Sequence, residues 1–386
     1  MSDVALTVVA GFRDREIERV ERWLASLAAQ TFRGFRAILV DYGSARDVAA
    51  RLQAAAARHD FCSTVYTDTR GHAWSRACAL NIGARLAASD YVLLTDVDMI
   101  YPPGFLAAVI ERIAPGRVIH AWCTFLPRGF SHWDEVFDRA GRFPPAASRP
   151  ALGGCQALAT ALLHAIGGLD EYYRFWGAED RDLADRLLLH GLEDVYLPSH
   201  VPMLHQWHPS SNDKSDDFMP EGLWGRMNNH RHRHRGEIAR NGGGWGRVVR
   251  TEERPAFVFL DFERQRLVES PELHLFDARP DRPRESGLLV HAFWELPPGH
   301  ALAVDHAFFP HRSRRWDWLL RATNAAARRV GSGARLGYRT NLLHAYLDEM
   351  LEANRGEIAD YYLGFPARDG VSIVVRGGEG HPAAPW

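Results

Sequence analysis

The chain has 386 residues, too many for one small core, so two domains are expected. Its 46% hydrophobic and 24% charged residues are ordinary for a globular protein. A formal net charge of −2 leaves no overall basic field, which excludes a nucleic-acid binder held by bulk charge.

The first expected strand is the apolar, β-branched run Leu6 to Ala10. It ends in Gly11, Phe12, Arg13, Asp14 and Arg15, and a helical pattern follows at Ile17, Val20, Trp23, Leu24 and Leu27. Phe35 to Val40 predicts a second strand, ending in Asp41, Tyr42, Gly43 and Ser44. A helix fits Asp47 to His59, and a third strand lies near Thr64 to Tyr66. Gly71 to Ala88 reads as a loop running into a helix. Tyr91 to Thr95 is a buried strand that runs straight into Asp96, Val97 and Asp98. Strands alternating with helices predict βαβ units and a mostly parallel sheet. Ligands collect at the carboxyl ends of such strands, where Arg13, Asp41 and Asp96 all sit.

Asp96-x-Asp98 suits a divalent cation whose remaining oxygens come from a nucleotide diphosphate. Alone, D-x-D is equally a turn with two solvated acids. Arg13, Arg15 and Arg76 are candidates to neutralise a diphosphate, though each by itself reads as surface charge. Pro102 to Pro150 looks less regular, with Arg128 to Pro150 an excursion over a site. The pair Gly153-Gly154 lets backbone approach a ligand closely, or simply packs a tight turn.

A short helix from Thr160 leads to Trp176-Gly177-Ala178-Glu179-Asp180-Arg181-Asp182. Leu183, Leu187 and Leu188 then recur at helical spacing up to His190-Gly191, a glycine stop. Acids at a helix N-terminus oppose the macrodipole. An aromatic and a glycine just before them point to a carboxylate at the floor of a pocket. Val195 to Pro198 is extended, and His205 and His208 follow. On a straight strand these two face opposite sides, so both serve one ion only if a turn intervenes. Imidazole favours Mn²⁺ or later first-row ions over Mg²⁺.

Asn228 to Arg235 reads best as a solvated basic face, and Gly242 to Gly246 as a lid hinge. Beyond Pro255 the character changes. Phe257 to Leu260, Gly287 to Phe293 and Val371 to Val375 read as strands, and Trp316 to Arg329 and Leu342 to Asn354 as helices. The expected layout is a first domain over 1–248, a linker over 249–254, an α+β domain over 255–376 and a frayed tail over 377–386. Cys62, Cys78, Cys123 and Cys155 are scattered, without C-x-x-C, so a reducing, cytoplasmic compartment is expected. Met1 to Val9 lacks the features of a signal peptide. No apolar run nears the roughly 20 residues that span a bilayer. Peripheral membrane contact stays open, as does the oligomeric state.

Six of these motifs stand in an order that resembles the inverting GT-A glycosyltransferases. Residues 4 to about 248 look most like the β-1,4-galactosyltransferase group and bacterial family 2 enzymes, including chondroitin-polymerase-type domains. Gly11 to Arg15 is similar to that group's Phe-Arg-x-Arg segment, Trp74 to Gly83 to its Phe-Asn-Arg-Ala segment, and Asp96-Val97-Asp98 to its D-V-D. Leu152 to Gly154 resembles the donor loop, Trp176 to Asp182 the Trp-Gly-Gly-Glu-Asp-Asp-Asp run, and His205-x-x-His208 the Met-x-x-His metal segment. Asp41 to Ser44 looks more like the base-touching acid segment of family 2.

The resemblance implies a Rossmann-like GT-A domain that moves a sugar from a UDP-sugar to a glycan or glycoconjugate hydroxyl. It implies Asp180 as base and Glu179 beside it as an orienting acid. It places Phe12, Arg13, Arg15, Asp41, Arg76, Asp96, Val97, Asp98, Gly153 and Gly154 on the nucleotide-sugar donor, and Trp176 beside them on a sugar face. Asp98 with His205 or His208 would hold Mn²⁺, with Mg²⁺ as the alternative metal. Two departures stand out: Ala178 replaces the family's second glycine, and Arg181 replaces the acid after the base. A cation at 181 suits an anionic acceptor such as a uronic acid. The competing functions are a non-catalytic nucleotide-sugar or glycan-binding protein on the same fold and, less well supported, a nucleotidyltransferase.

Overall fold

Alternation along the first strand sorts the core into two layers. In a computed structural model of the protein, β1 (Leu6–Phe12) sends Leu6, Val8, Ala10 and Phe12 to one face of a sheet and Val9 to the other, as a period of two requires. The first face is covered by α1 (Ile17–Ala28), through Ile17, Val20, Trp23, Leu24 and Leu27 at helical spacing. The helix α2 (Arg46–Ala56) adds Leu52 and Ala55 to that layer. The opposite face takes α3 (Arg76–Leu86) through Ala77, Leu80 and Ala84. The residues described are 4–136, 148–175, 177–208, 222–261, 266–276, 286–305, 322–323, 326, 342–364 and 371–378.

The chain divides into two units, Met1–Pro209 with Met227–Arg250, and Ser210–Arg226 with Thr251–Ala384. The first unit's sheet opens with four parallel strands in the order β3 (Cys62–Thr67), β2 (Phe35–Tyr42), β1 and β4 (Tyr91–Asp96). Their register aligns the strand ends: Phe12 sits beside Asp41, and Gly11 beside Asp96. The polar loops after β1, β2 and β4 therefore leave from one rim.

Past Asp98 come β5 (Met99–Ile100), α4 (Phe105–Arg112), β6 (Arg117–Phe125), β7 (Ser148–Ala151) and β8 (Gln156–Ala159). Then follow α5 (Thr160–Ala165), α6 (Glu179–Leu189), β9 (Glu193–Tyr196), β10 (Met203–His205) and α7 (Leu223–Arg233). The sheet continues β4-β8-β6-β10-β5, with β7 and β9 also paired to β6. β8 runs against both its neighbours and β5 against β10, so the sheet is mixed, with parallel pairings in the majority. The expected Rossmann-like, mostly parallel sheet flanked by helices is present, and its antiparallel pairings all involve strands past β4.

The segment 102–136 is more regular than its sequence implies, since it contains α4 and β6, while residues 137–147 of the expected excursion lie outside the described residues. The apolar alternation of β6 is broken by His120, which is fully buried because its two ring nitrogens meet Cys155 O at 3.2 Å and Asp194 Oδ1 at 3.0 Å. The expected glycine hinge is also corrected. Trp245 packs in the α3 layer and Gly246 N–H donates to Glu171 at 2.8 Å, so this stretch is anchored. The basic run 228–235 lies mostly on α7, and one of its faces is docked: the His230 ring stacks on Tyr172 at 3.8 Å and bonds Asp170 at 2.8 Å.

In the second unit, β13 (Leu273–Leu275), β14 (Ala301–Asp305), β16 (Val371–Arg376) and β15 (Ile358–Tyr362) form one sheet in that order. β11 (Leu260–Asp261) pairs with β12 (Arg266–Leu267), and α8 (Ser286–Trp294) and α9 (Leu342–Ala353) complete the described elements. Ala301, Ala303, Ile373 and Val375 pack with Ala256, Phe259 and Leu260. Gly287 to Phe293 is thus helix, not strand. Leu289 and Phe293 are buried four residues apart while Leu288 and Trp294 are exposed, a helical pattern that a continuous apolar run conceals. Phe257 and Val258 belong to a 3₁₀ turn (Pro255–Val258), since Asp360 accepts the Ala256 N–H at 3.0 Å and pairs with Arg254 at 2.9 Å. Most of the expected helix over 316–329 lies outside the described residues. Among the described residues, no helix is long and apolar enough to cross a membrane.

Candidate functional site at the strand ends

The approach to α6 is made in left-handed backbone. Phe175, Gly177 and Ala178 have φ of 64°, 96° and 73°. An L-residue there costs roughly 1 kcal/mol over glycine, so Ala178 holds a strained position that glycine would fill more easily. Such strain clusters at functional sites. No side chain caps α6, and its first turn carries Glu179, Asp180 and Asp182.

These acids part company. Asp182 is only 1% exposed and turns inward, where Oδ2 accepts from Arg186 Nε at 2.8 Å and Oδ1 from the Tyr173 hydroxyl at 3.3 Å. Glu179 is buried beside Arg76, whose Nη1 stands 3.5 Å away. Asp180 is half-buried and lies over Gly153: a Cβ there would stand 3.1 Å from its Oδ2. Gly153 therefore leaves room for that carboxylate. Arg181 is exposed, and Trp176 lies outside the described residues.

Arg76 ties this turn to the end of β4. Its Nε donates to Asp96 Oδ1 at 2.5 Å, and its Nη2 donates to Gly153 O. Thr95 Oγ1, bonded to the Tyr101 hydroxyl, donates to Gly154 O at 2.8 Å. Both glycine carbonyls are thus gripped. Burial works against the charge of Arg76, but Asp96 and Glu179 outweigh it and keep it protonated. Burial raises Asp96 despite the pull of Arg76. Burial, helped by repulsion from Asp180 and opposed by Arg76, pushes Glu179 up to about 7.

The Glu179 shift has a measurable sign. The folded state holds this proton up to a higher pH than the unfolded chain, so stability is lost as pH rises from the ordinary 4.5 towards about 7. Glu179→Gln should remove that loss. In urea unfolding of metal-free protein, the variant should gain about 2–3 kcal/mol on the wild type between acid and neutral pH. A pH-independent difference would show that Glu179 is not held protonated.

Two residues past Asp96, a second cluster forms. β10 ends at His205 and the chain turns, so His205 and His208 no longer face apart. His208 Nε2 lies 3.1 Å and His205 Nε2 3.7 Å from Asp98 Oδ2. One ligand atom from each of the three residues lies within 4.8 Å of the others. Asp98 Oδ1 is buried with no hydrogen-bond partner among the described residues. An unsatisfied buried carboxylate oxygen beside two imidazoles fits a divalent cation. Burial alone would raise Asp98, but the His208 hydrogen bond and the charges of both histidines prevail and lower it.

The remaining predicted residues are spread along the rim. The Phe12 ring is 1% exposed in the α1 layer, so it packs the core rather than lining either cluster. Arg13 donates to His72 O at 2.7 Å, and Arg15 is exposed. Asp41 is buried and accepts the Ser44 N–H at 2.9 Å; burial raises its pKa against that bond. Val97 is buried between the two acids. Sequence reasoning missed Thr95 and Gln206, uncharged side chains whose part is visible only once their partners are known.

Residues 12–140 match the family described as glycosyl transferase family 2, and residues 143–208 match the N-terminal domain of galactosyltransferase. The N-acetylglucosaminyl-diphospho-decaprenol L-rhamnosyltransferase of Mycobacterium tuberculosis is 26% identical over 234 residues, 50% of this chain and 74% of the relative. Among solved structures, the mannosyltransferase PcManGT from Pyrobaculum calidifontis, in complex with GDP-Man and Mn²⁺, aligns at TM-score 0.38 and 19% identity, over 60% of this chain and 69% of that one. S. aureus TarS 1-349 aligns at TM-score 0.41 and 16% identity, over 53% and 60%.

Proposed function

We propose that the chain, which matches glycosyl transferase family 2 and the N-terminal domain of galactosyltransferase, is a GT-A-type glycosyltransferase that transfers a sugar from a UDP-sugar to a glycan or glycoconjugate hydroxyl with inversion. The donor is taken to be of the UDP-Gal, UDP-GalNAc or UDP-Glc type. One observation carries this reading. The strand-end pair Asp96 and Asp98 stands between two different chemistries, the Asp180 carboxylate over Gly153 on one side and the Asp98–His205–His208 cluster on the other.

Asp180 accepts the proton of the acceptor hydroxyl as that oxygen bonds to the anomeric carbon. The bond from that carbon to the donor phosphate oxygen breaks, and its electron pair leaves with the nucleotide. Arg76 and Thr95 hold the Gly153 and Gly154 carbonyls still beneath the donor. Glu179 acts through Arg76 and on sugar hydroxyls. In this reading Arg13 and Arg15 serve the donor phosphates, Asp41 the base and Trp176 a sugar face. Mn²⁺ on Asp98, His205 and His208 would supply positive charge for the departing diphosphate. Cys78, Cys123 and Cys155 are buried, and the scatter of the four cysteines without C-x-x-C supports the cytoplasm as the working compartment.

A donor-hydrolysis screen over UDP-sugars, with and without Mn²⁺, tests the reading. One UDP-sugar should release UDP in a Mn²⁺-dependent way, slowly to water and faster when a glycan acceptor is supplied to take the sugar. Tighter binding of nucleoside triphosphates than of UDP would replace this reading with a nucleotidyltransferase. Metal-dependent UDP binding without turnover on any donor or acceptor would replace it with a binding protein.

A further inference from the structure

The two histidines of the candidate metal cluster are three residues apart, and something must turn the chain between them. Of the two residues between them, Trp207 is exposed and Gln206 is buried, 1% exposed. Its backbone N–H donates to Asp98 O at 2.9 Å, which joins the histidine loop to the acid loop directly. Its side-chain carbonyl accepts from Arg22 Nε at 2.7 Å, and its amide donates to Arg19 O at 3.1 Å. Both partners lie on α1. The Arg22 guanidinium is itself held over the Trp133 ring at 4.3 Å. On the other side, Leu126 N–H donates to His205 O at 2.9 Å.

We infer that Gln206 is a positioning residue, which fastens the turn between His205 and His208 to α1 so that both Nε2 atoms face Asp98. Its amide has an acceptor and a donor, and α1 supplies the complement of each, so the side chain fits in one orientation. An apolar residue of similar size would keep the volume and lose both bonds. It would leave the Arg19 carbonyl and the Arg22 guanidinium to seek other partners, and the turn free to relax back towards an extended strand. In that conformation one histidine swings away from Asp98. Outer contacts of this kind typically change metal affinity about 10–100-fold.

The inference rests on the reading of Asp98, His205 and His208 as a metal site, and Mn²⁺ titration calorimetry on the full chain separates the two. The wild type should bind Mn²⁺ and His208→Ala should not. If the wild type gives no more heat than His208→Ala, the metal reading fails and the role of Gln206 falls with it. Where the wild type binds, Gln206→Leu should weaken Mn²⁺ by about 10–100-fold with an unchanged circular dichroism spectrum. Arg22→Leu, which leaves Gln206 in place, should weaken it less, and Arg22→Lys should recover most of that loss. Mn²⁺ affinity within twofold of wild type in both leucine variants overturns the inference, even if their thermal stability falls. Should Gln206→Leu not fold, wild-type affinity in Arg22→Leu alone overturns it.

Discussion

Asp180→Asn should lower the transfer rate by about 10²–10⁴-fold and leave UDP and Mn²⁺ binding unchanged. Asparagine keeps the shape over Gly153 and can still accept the Arg181 N–H, now made to Asp180 Oδ1 at 2.7 Å. It also leaves the backbone carbonyl that accepts from Gln156 Nε2 at 3.0 Å. Only the capacity to take a proton is lost. Glu179 is the natural rival as base, but it is buried against Arg76 and its proton affinity is tuned by that contact. Asp180 is the more open of the two, and it faces Gly153. A second readout needs no substrate. Asp180 raises Glu179 by repulsion, so Asp180→Asn should also shrink the pH dependence of stability assigned to Glu179. Near wild-type transfer by the variant would remove Asp180 from the mechanism.

The parallel half of the fold was legible because two periods coincide with two burial patterns. Leu6 to Phe12 alternates across a sheet covered on both faces, and Ile17, Val20, Trp23, Leu24 and Leu27 form one helical stripe. The acids at strand ends were legible for the same reason: a charged residue directly after a buried strand has nowhere to go but the rim. What was hidden depended on partners far away in sequence. His120 disguised β6 because its satisfaction comes from Cys155 and Asp194. Trp245 looked like part of a hinge because only its burial beside Gly168 shows it as an anchor. Gln206, a neutral residue between two histidines, carries no signal until Arg19 and Arg22 on α1 are placed next to it. The run of acids after Ala178 was legible as a group but not as three fates, since Asp182 turns inward and only Glu179 and Asp180 meet the strand ends.

That inward turn makes Arg186→Met the substitution with the largest expected effect on stability. Arg186 is almost fully buried on α6, one turn after Asp182. Besides Asp182, it donates to Gly168 O at 2.9 Å and Ile238 O at 3.2 Å, so one guanidinium joins α6 to two separate loops. Burial lowers its pKa, while Asp182 and Asp170 pull the other way. Methionine fills much of the same volume but leaves three carbonyls, those of Gly168 and Ile238 together with Ile166 O at 3.4 Å, without this donor. It also leaves the Asp182 carboxylate to the Tyr173 hydroxyl and to Arg240 at 3.5 Å. Breaking a buried pair from one side costs about 3–5 kcal/mol, which should appear as a drop of roughly 10 °C in Tm. Removing both charges should cost less than removing one: Asp182→Leu combined with Arg186→Met should recover part of the loss, because no buried carboxylate is then stranded. Transfer activity separates stability from placement. If Asp182 and Arg186 hold the first turn of α6, the double variant should regain stability yet keep a reduced rate, since Asp180 rides on that turn. A single variant less than about 1 kcal/mol below wild type would show that the pair is not what fixes α6.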